Sequence, residues 1–234
     1  MQKGKVYLIP TFLHEEALVT IPAYVLDAVK DCQVFFVENE KTARRYLKKI
    51  WREMVIDDYG WFTIHKAEAE LKASFLQILQ SGKNIGIISE AGCPGVADPG
   101  QYLVQSAQEK GYTIKPLVGP NSILLALMAS GMNGQHFQFH GYLPIDALEK
   151  KKKIKELESE SHRTGCTQIF IETPYRNNQL FSDIIQIGRE ETRLCIAVDL
   201  TSPSEFIKTR SIKEWRKEST DFHKKPAIFL LQSV

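Results

Sequence analysis

Short runs of β-branched and aromatic residues alternate with helix-patterned segments through the first half of the chain, and that alternation restricts the possible folds more than any other feature. Val6-Tyr7-Leu8-Ile9, Gln33-Val34-Phe35-Phe36-Val37, Asn84-Ile85-Gly86-Ile87-Ile88 and Tyr112-Thr113-Ile114 read as strands. From Thr20 to Val29, the apolar residues Ile21, Val25, Leu26 and Val29 fall at helical spacing. Ala67 to Leu79 repeats that spacing with Leu71, Phe75, Leu76 and Leu79, and Ser81-Gly82 marks a stop. Strands that alternate with helices build a mostly parallel sheet covered on both faces.

The second half has a different texture. Asn121 to Ser130 is apolar nearly all round, which predicts a buried helix, capped by Asn121 or Ser122 and ended by Gly131. His136–Tyr142, Cys166–Glu172, Arg193–Leu200, Phe206–Thr209 and Ala227–Leu231 read as strands. Leu148–Leu157, Arg176–Ile187 and a stretch near Lys213–Lys217 read as helices. Strands that follow one another with few helices predict a mixed sheet with antiparallel pairs. Pro116, Gly119 and Pro120 punctuate the chain between the halves, so two α/β domains are expected, residues 1–117 and 118–234.

Several function classes drop out. With 43% hydrophobic and 25% charged residues the chain is neither disordered nor a coiled-coil rod. No apolar run approaches the ~18 residues of a membrane span. Met1-Gln2-Lys3-Gly4-Lys5 leads straight into a strand with no signal-peptide pattern, and Cys32, Cys93, Cys166 and Cys195 form no CxxC pair. They are expected as reduced thiols of a cytoplasmic protein. The net charge of +2 neither requires nor excludes nucleic acid. GxxxxGK[ST] and GxGxxG are both missing, which argues against a P-loop nucleotidase and a conventional dinucleotide fold. His136 and His140 have no neighbouring carboxylate or cysteine to complete a metal set, so no metal is expected.

The most informative segment is Ser89-Glu90-Ala91-Gly92-Cys93-Pro94-Gly95-Val96-Ala97-Asp98-Pro99-Gly100. It leaves an apolar strand and enters a helix near Gln101. Ligands in open α/β sheets bind at the carboxyl ends of strands, and glycine lets a backbone approach them closely. Val118-Gly119-Pro120-Asn121-Ser122 forms a second turn of small residues, opening the apolar helix. Glu38 ends another strand, and Arg44 and Arg45 follow on the next helix, where they suit an anionic substrate or simply a solvated helix. Lys150 to Lys153 with Lys155 form a basic run, which suits either phosphate or a solvated helix face.

Ser89–Gly100, followed by Val118–Gly131, resembles the tetrapyrrole methylase superfamily of S-adenosylmethionine-dependent methyltransferases. Within it, the chain is most similar to the bacterial 16S ribosomal RNA ribose 2′-O-methyltransferases. Glu38–Arg45, Phe139–Pro144 and Phe170–Arg176 are similar to further blocks of that family, in the same order. The resemblance implies a cofactor cleft between two α/β domains, and a homodimer. The apolar helix Ile123–Met128 and the aromatic strand Phe137–Tyr142 supply surface for a dimer. By the same resemblance, S-adenosylmethionine lies along Ala91, Gly92, Cys93 and Val96. Its adenosine part lies near Asn121, Ser122, Glu172, Leu200 and Ala227, and Pro10 floors the cleft. Two stretches depart from the family pattern. Pro10–Ala17 replaces a loop rich in glycine and asparagine, and Val198-Asp199-Leu200-Thr201-Ser202 replaces Arg-Glu-Leu-Thr-Lys.

The reaction so implied is in-line transfer of a sulfonium methyl group to a positioned nucleophile. If the acceptor is a ribose hydroxyl, a base takes its proton, with Glu38 the first candidate and Glu90 the second. Three functions stay open at this point. The first is methylation of ribosomal RNA of the small subunit, with Arg44 and Arg45 holding substrate. The others are methylation of a corrin or porphyrin precursor, and cofactor binding without catalysis.

Overall fold

The computed structural model describes residues 3–64 and 68–233, so Met1 and Gln2 of the expected entry into the first strand and Ala67 of the second expected helix lie outside the described residues. The chain divides into two compact units, Met1–Asn121 and Ser122–Val234.

The first unit is built on a five-stranded sheet: β1 (Lys5–Ile9), β2 (Val34–Val37), β3 (Gly60–Thr63), β4 (Ile85–Ile88) and β5 (Thr113–Pro116), in the order β3-β2-β4-β1-β5. Every pairing is parallel. All four residues of β2 and of β4 are buried, as the central strands of a doubly covered sheet require. The period-2 alternation of β2 sends Phe35 and Val37 into one apolar cluster and Val34 and Phe36 into another. The helices α1 (Val25–Lys30) and α2 (Glu40–Ile50) supply Val25, Val29, Tyr46 and Leu47 to the first cluster. Phe75, Leu79, Leu103 and Ala107, from α3 (Lys72–Gln80) and α4 (Gln101–Glu109), fill the second.

Two elements differ from the sequence reading. The expected helix Thr20–Val29 is a 3₁₀ turn at Leu18–Thr20 followed by α1 from Val25. Ile21 is extended (φ −93°, ψ 116°) because it precedes Pro22, whose ring disfavours helical backbone at the preceding residue. The strand β3 was not anticipated. It has four residues, none fully buried, at the sheet's edge.

The second unit carries β6 (Phe137–Tyr142), β7 (Thr167–Ile171), β8 (Arg193–Val198), β9 (Phe206–Ser211) and β10 (Ala227–Gln232), in the order β6-β7-β10-β8-β9. Only β6 and β7 pair in parallel; β7 with β10, β10 with β8 and β8 with β9 are antiparallel, giving the expected mixed sheet. Its helices are α5 (Ser122–Ser130), α6 (Ala147–Thr164), α7 (Asn177–Ile187) and α8 (Ile212–Trp215). Phe170, Phe229, Leu180, Ile184 and Trp215 form the core, and the Trp215 indole N–H donates to the Leu194 carbonyl at 2.8 Å. Among the described residues no helix is long and apolar enough to cross a membrane.

The lysine run on α6 is not one uniform surface. Lys150, Ile154, Leu157 and Ser161 lie on the buried face, and Lys150 is only 4% exposed. Its ammonium pairs with Asp183 of α7 at 3.6 Å, while Lys151 donates to Gln186 and Lys153 lies 3.8 Å from Glu156. Removing one partner of a buried pair leaves a charge in low dielectric. Lys150→Met is therefore expected to lower stability in urea denaturation by about 3 kcal/mol. Lys152→Met, at an exposed position of the same run, is expected to change it by less than ~0.5 kcal/mol. Equal effects of the two substitutions would contradict this placement of Lys150.

Candidate active site

In the first unit, the loops that follow β1, β4 and β5 are fastened to one another. Thr11 N–H donates to the Gly92 carbonyl at 2.8 Å and Gly92 N–H returns a bond to the Thr11 carbonyl at 3.2 Å. Gly119 packs so closely on Pro10 that a Cβ there would lie 2.1 Å from the proline Cβ. The buried Tyr46 hydroxyl donates to the Pro10 carbonyl at 2.7 Å, and its burial raises its pKa. The loop between β4 and α4 adopts left-handed backbone at Gly92, Gly95 and Gly100, which glycine does without Cβ strain, and also at Ala97. Cys93 Sγ lies 3.5 Å from the Pro120 carbonyl oxygen, and burial pushes its pKa up.

At these carboxyl ends a cavity of about 180 Å³ opens, lined by Thr11, Phe12 and Glu15 after β1, by Thr42, Ala43, Arg45 and Tyr46 of α2, and by Ser89 and Glu90 after β4. The start of α2 is set by Asn39, whose side chain accepts from the N–H groups of Lys41 and Thr42 at 3.0 and 3.3 Å. That cap directs Thr42 toward Glu90, whose Oε1 accepts its hydroxyl at 3.4 Å. Glu38 Oε2 in turn accepts the Glu90 N–H at 3.0 Å. Asp98 completes an acidic group: burial first, and the Glu38 charge second, push its pKa from 3.8 up to about 6.

The anticipated residues occupy several positions. Glu38, Glu90 and the turn Ala91–Cys93 belong to one linked arrangement, and Arg45 lines the cavity. Arg44 is engaged elsewhere, paired with Glu40 at 2.8 Å and lying over the Trp61 ring at 4.9 Å. Val96 is an exposed apolar side chain of the same loop, and Asn121 directly precedes α5. In the second unit, Glu172 follows β7, Leu200 follows β8 and Ala227 opens β10. The register Ala227↔Val198 and Ile228↔Ile171 brings all three to one end of that sheet. Glu172 is buried: Oε1 accepts from Thr173 N–H at 2.7 Å and Arg176 Nη2 at 2.6 Å, while Oε2 has no partner among the described residues. Thr11, Phe12 and Glu15 come from the altered first loop, and Ser89 and Asp98 from the glycine-rich segment; Tyr46 and Thr42 were not anticipated as lining. Among the described residues no group of three or more His, Cys, Asp or Glu side chains is arranged to hold a metal ion.

The model of the family described as Tetrapyrrole (Corrin/Porphyrin) Methylases matches residues 5–215. The chain belongs to this family. Methylation with S-adenosylmethionine is the chemistry of the group, so the expected family, fold class and reaction class all hold. Similar curated proteins include the ribosomal RNA small subunit methyltransferase I of Vibrio cholerae serotype O1, 31% identical over 96% of this chain and 75% of its own. The protein of that name from Escherichia coli O157:H7 is 27% identical over 98% of this chain and 78% of its own. Among solved structures, the methyltransferase CobJ superposes with a TM-score of 0.65 at 14% identity, covering 100% of this chain and 95% of that one. The uroporphyrin-III C-methyltransferase of Thermus thermophilus complexed with S-adenosylhomocysteine gives 0.56 at 13% identity, covering 98% of each chain. These two share the fold.

Asp98 provides a test of the acidic group through pH. Its carboxyl binds a proton more tightly in the folded chain than in the unfolded one, so the folded state holds more protons between roughly pH 4 and pH 6. The Asp98 contribution to stability therefore falls as pH rises through that window. Asp98→Asn is expected to be more stable than the parent at pH 7, with the difference vanishing near pH 4, in urea titrations at the two pH values. A difference that grows toward low pH would contradict the placement of Asp98 beside Glu38.

Proposed function

We propose that this protein transfers the methyl group of S-adenosylmethionine to a ribose 2′-hydroxyl of small-subunit ribosomal RNA. The observation that carries this reading is the similarity, along nearly the whole chain, to proteins named ribosomal RNA small subunit methyltransferase I. The site residues suit the cofactor. The Gly92 turn carries left-handed backbone just after a strand's end, and the orphaned Oε2 of buried Glu172 suits a hydroxyl or amine donor. When bound, the cofactor supplies a methyl group on a positively charged sulfur. Ala91, Gly92, Cys93 and Val96, with Pro10 beneath them, are assigned to its amino-acid and ribose part. Asn121, Ser122, Glu172, Leu200 and Ala227 are assigned to its adenosine part.

The roles of the remaining residues follow from their chemistry. The carboxylates of Glu38, Glu90 and Asp98 favour a cation nearby by Coulomb attraction. Glu38 is held by the Glu90 N–H through one oxygen, and takes the hydroxyl proton on the other. Glu90 is the alternative base. Arg45, exposed at the cavity, is assigned to the RNA substrate. Arg44 contributes less, being paired with Glu40. The protein acts in the cytoplasm as a homodimer. The dimer reading rests on apolar side chains of the second unit, with Met128 79%, Leu148 79% and Ile145 75% exposed. Light scattering at micromolar concentration is expected to give twice the chain mass; a monomer would contradict it.

The functional test uses labelled S-adenosylmethionine and small ribosomal subunits from a strain lacking the gene. Label is expected in the RNA of those subunits and not in subunits from the parent strain. Label in a corrin or porphyrin precursor, with none in RNA, would favour the other activity of the family. In the same assay Gly92→Val is expected to weaken cofactor binding by about tenfold or more, because a β-branched side chain disfavours the left-handed backbone there. Unchanged affinity by calorimetry would overturn the assignment of that turn.

A further inference from the structure

The cavity after β1, β2 and β4 is more specific in size and lining than methyl transfer alone requires. At about 180 Å³ it is close to the ~150 Å³ that accommodates a single benzene-sized ring. A tetrapyrrole, with four such rings, exceeds it several-fold. Two of its polar residues are almost wholly buried, Thr11 at 2% exposed and Ser89 at 5%. Among the described residues the Thr11 hydroxyl reaches only the Ser89 carbonyl, at a long 3.4 Å, so both its lone pairs face no donor there. Thr42, Glu90 and Glu15 add acceptors, Arg45 adds donors, and Phe12 with Tyr46 forms an aromatic corner, ring centroids 5.4 Å apart.

Small, ring-sized and ringed by both donors and acceptors, this lining matches the edge of a nucleobase. RNA-binding proteins read unpaired bases in this manner, splayed out of the strand, against aromatic side chains and hydrogen-bonded on their edges. We propose that the cavity holds one base of the acceptor RNA and that Thr11 and Phe12 determine how tightly the substrate binds. The inference rests on the RNA reading above and adds to it the place where a base is held. It also gives the altered first loop a role. Pro10–Ala17 carries Thr11 and Phe12 into the cavity, and its fastening to Gly92 keeps that wall in place without using the Thr11 side chain.

The test is steady-state kinetics on small subunits from the gene-deleted strain, with cofactor affinity measured separately by calorimetry. Thr11→Val keeps the shape and the backbone bonds to Gly92 and removes only the hydroxyl; Phe12→Ala removes the aromatic corner. Both are expected to raise the KM for subunits about tenfold or more, with kcat and cofactor affinity changed less than about twofold. Two results would overturn the proposal. One is an unchanged subunit KM in both variants. The other is a cofactor affinity that falls as far as the subunit KM rises, which would make the loop a wall of the cofactor site. A parent protein that binds cofactor but leaves subunits unmethylated would defeat the RNA reading itself, and the base site with it.

Discussion

The reciprocal backbone bonds between Thr11 and Gly92 are the constraint on which the rest of the first unit's site depends. They bridge two loops that leave neighbouring parallel strands, where no ladder hydrogen bonds continue. Gly119 adds a third loop by packing without a Cβ against Pro10, and the Tyr46 hydroxyl fixes the Pro10 carbonyl from α2. A chain segment so held can present glycine at left-handed φ to a ligand, because its neighbours settle its position. That rigidity serves methyl transfer, a reaction accelerated largely by holding two reactants at the right distance and angle.

One group of carboxylates in the first unit is arranged unlike the rest. In both units carboxylates are paired, Lys150 with Asp183 and Arg176 with Glu172 in the second, Arg44 with Glu40 and Lys49 with Glu15 in the first. Glu38, Glu90 and Asp98 are the exception in the first unit: they lie near one another, and Asp98 is held in the range where it is partly protonated near pH 6. Like charges brought together cost stability, and such a group suits the cationic ligand proposed for it.

The parallel sheet was legible because β2 and β4 are apolar throughout, and the mixed sheet because strands follow one another from Arg193 onward. Helix starts were less legible. Pro22 holds Ile21 extended and delays α1, although Ile21, Val25 and Val29 carry a helical period. The buried role of Lys150 was masked by its neighbours, since a run of lysines hides the i, i+4 step to Ile154. In the site, Ser89–Gly100 announced itself by composition. The first loop stood out by departing from the family pattern, but the place of Thr11 beside Gly92 did not, because it depends on hydrogen bonds to a residue far along the chain. The same holds for Asp98: its loop was conspicuous, but the Glu38 charge that shifts it comes from another strand.

The function proposed for this protein is methylation of a ribose beside an unpaired base. The chemistry of the product tests that claim most directly. A 2′-O-methyl group removes the nucleophile that alkali uses to break the adjoining phosphodiester. After methylation of small subunits with labelled cofactor and complete alkaline hydrolysis of the RNA, the account expects the label in an alkali-resistant dinucleotide. Label recovered only in mononucleotides would place the methyl group on a base and contradict it.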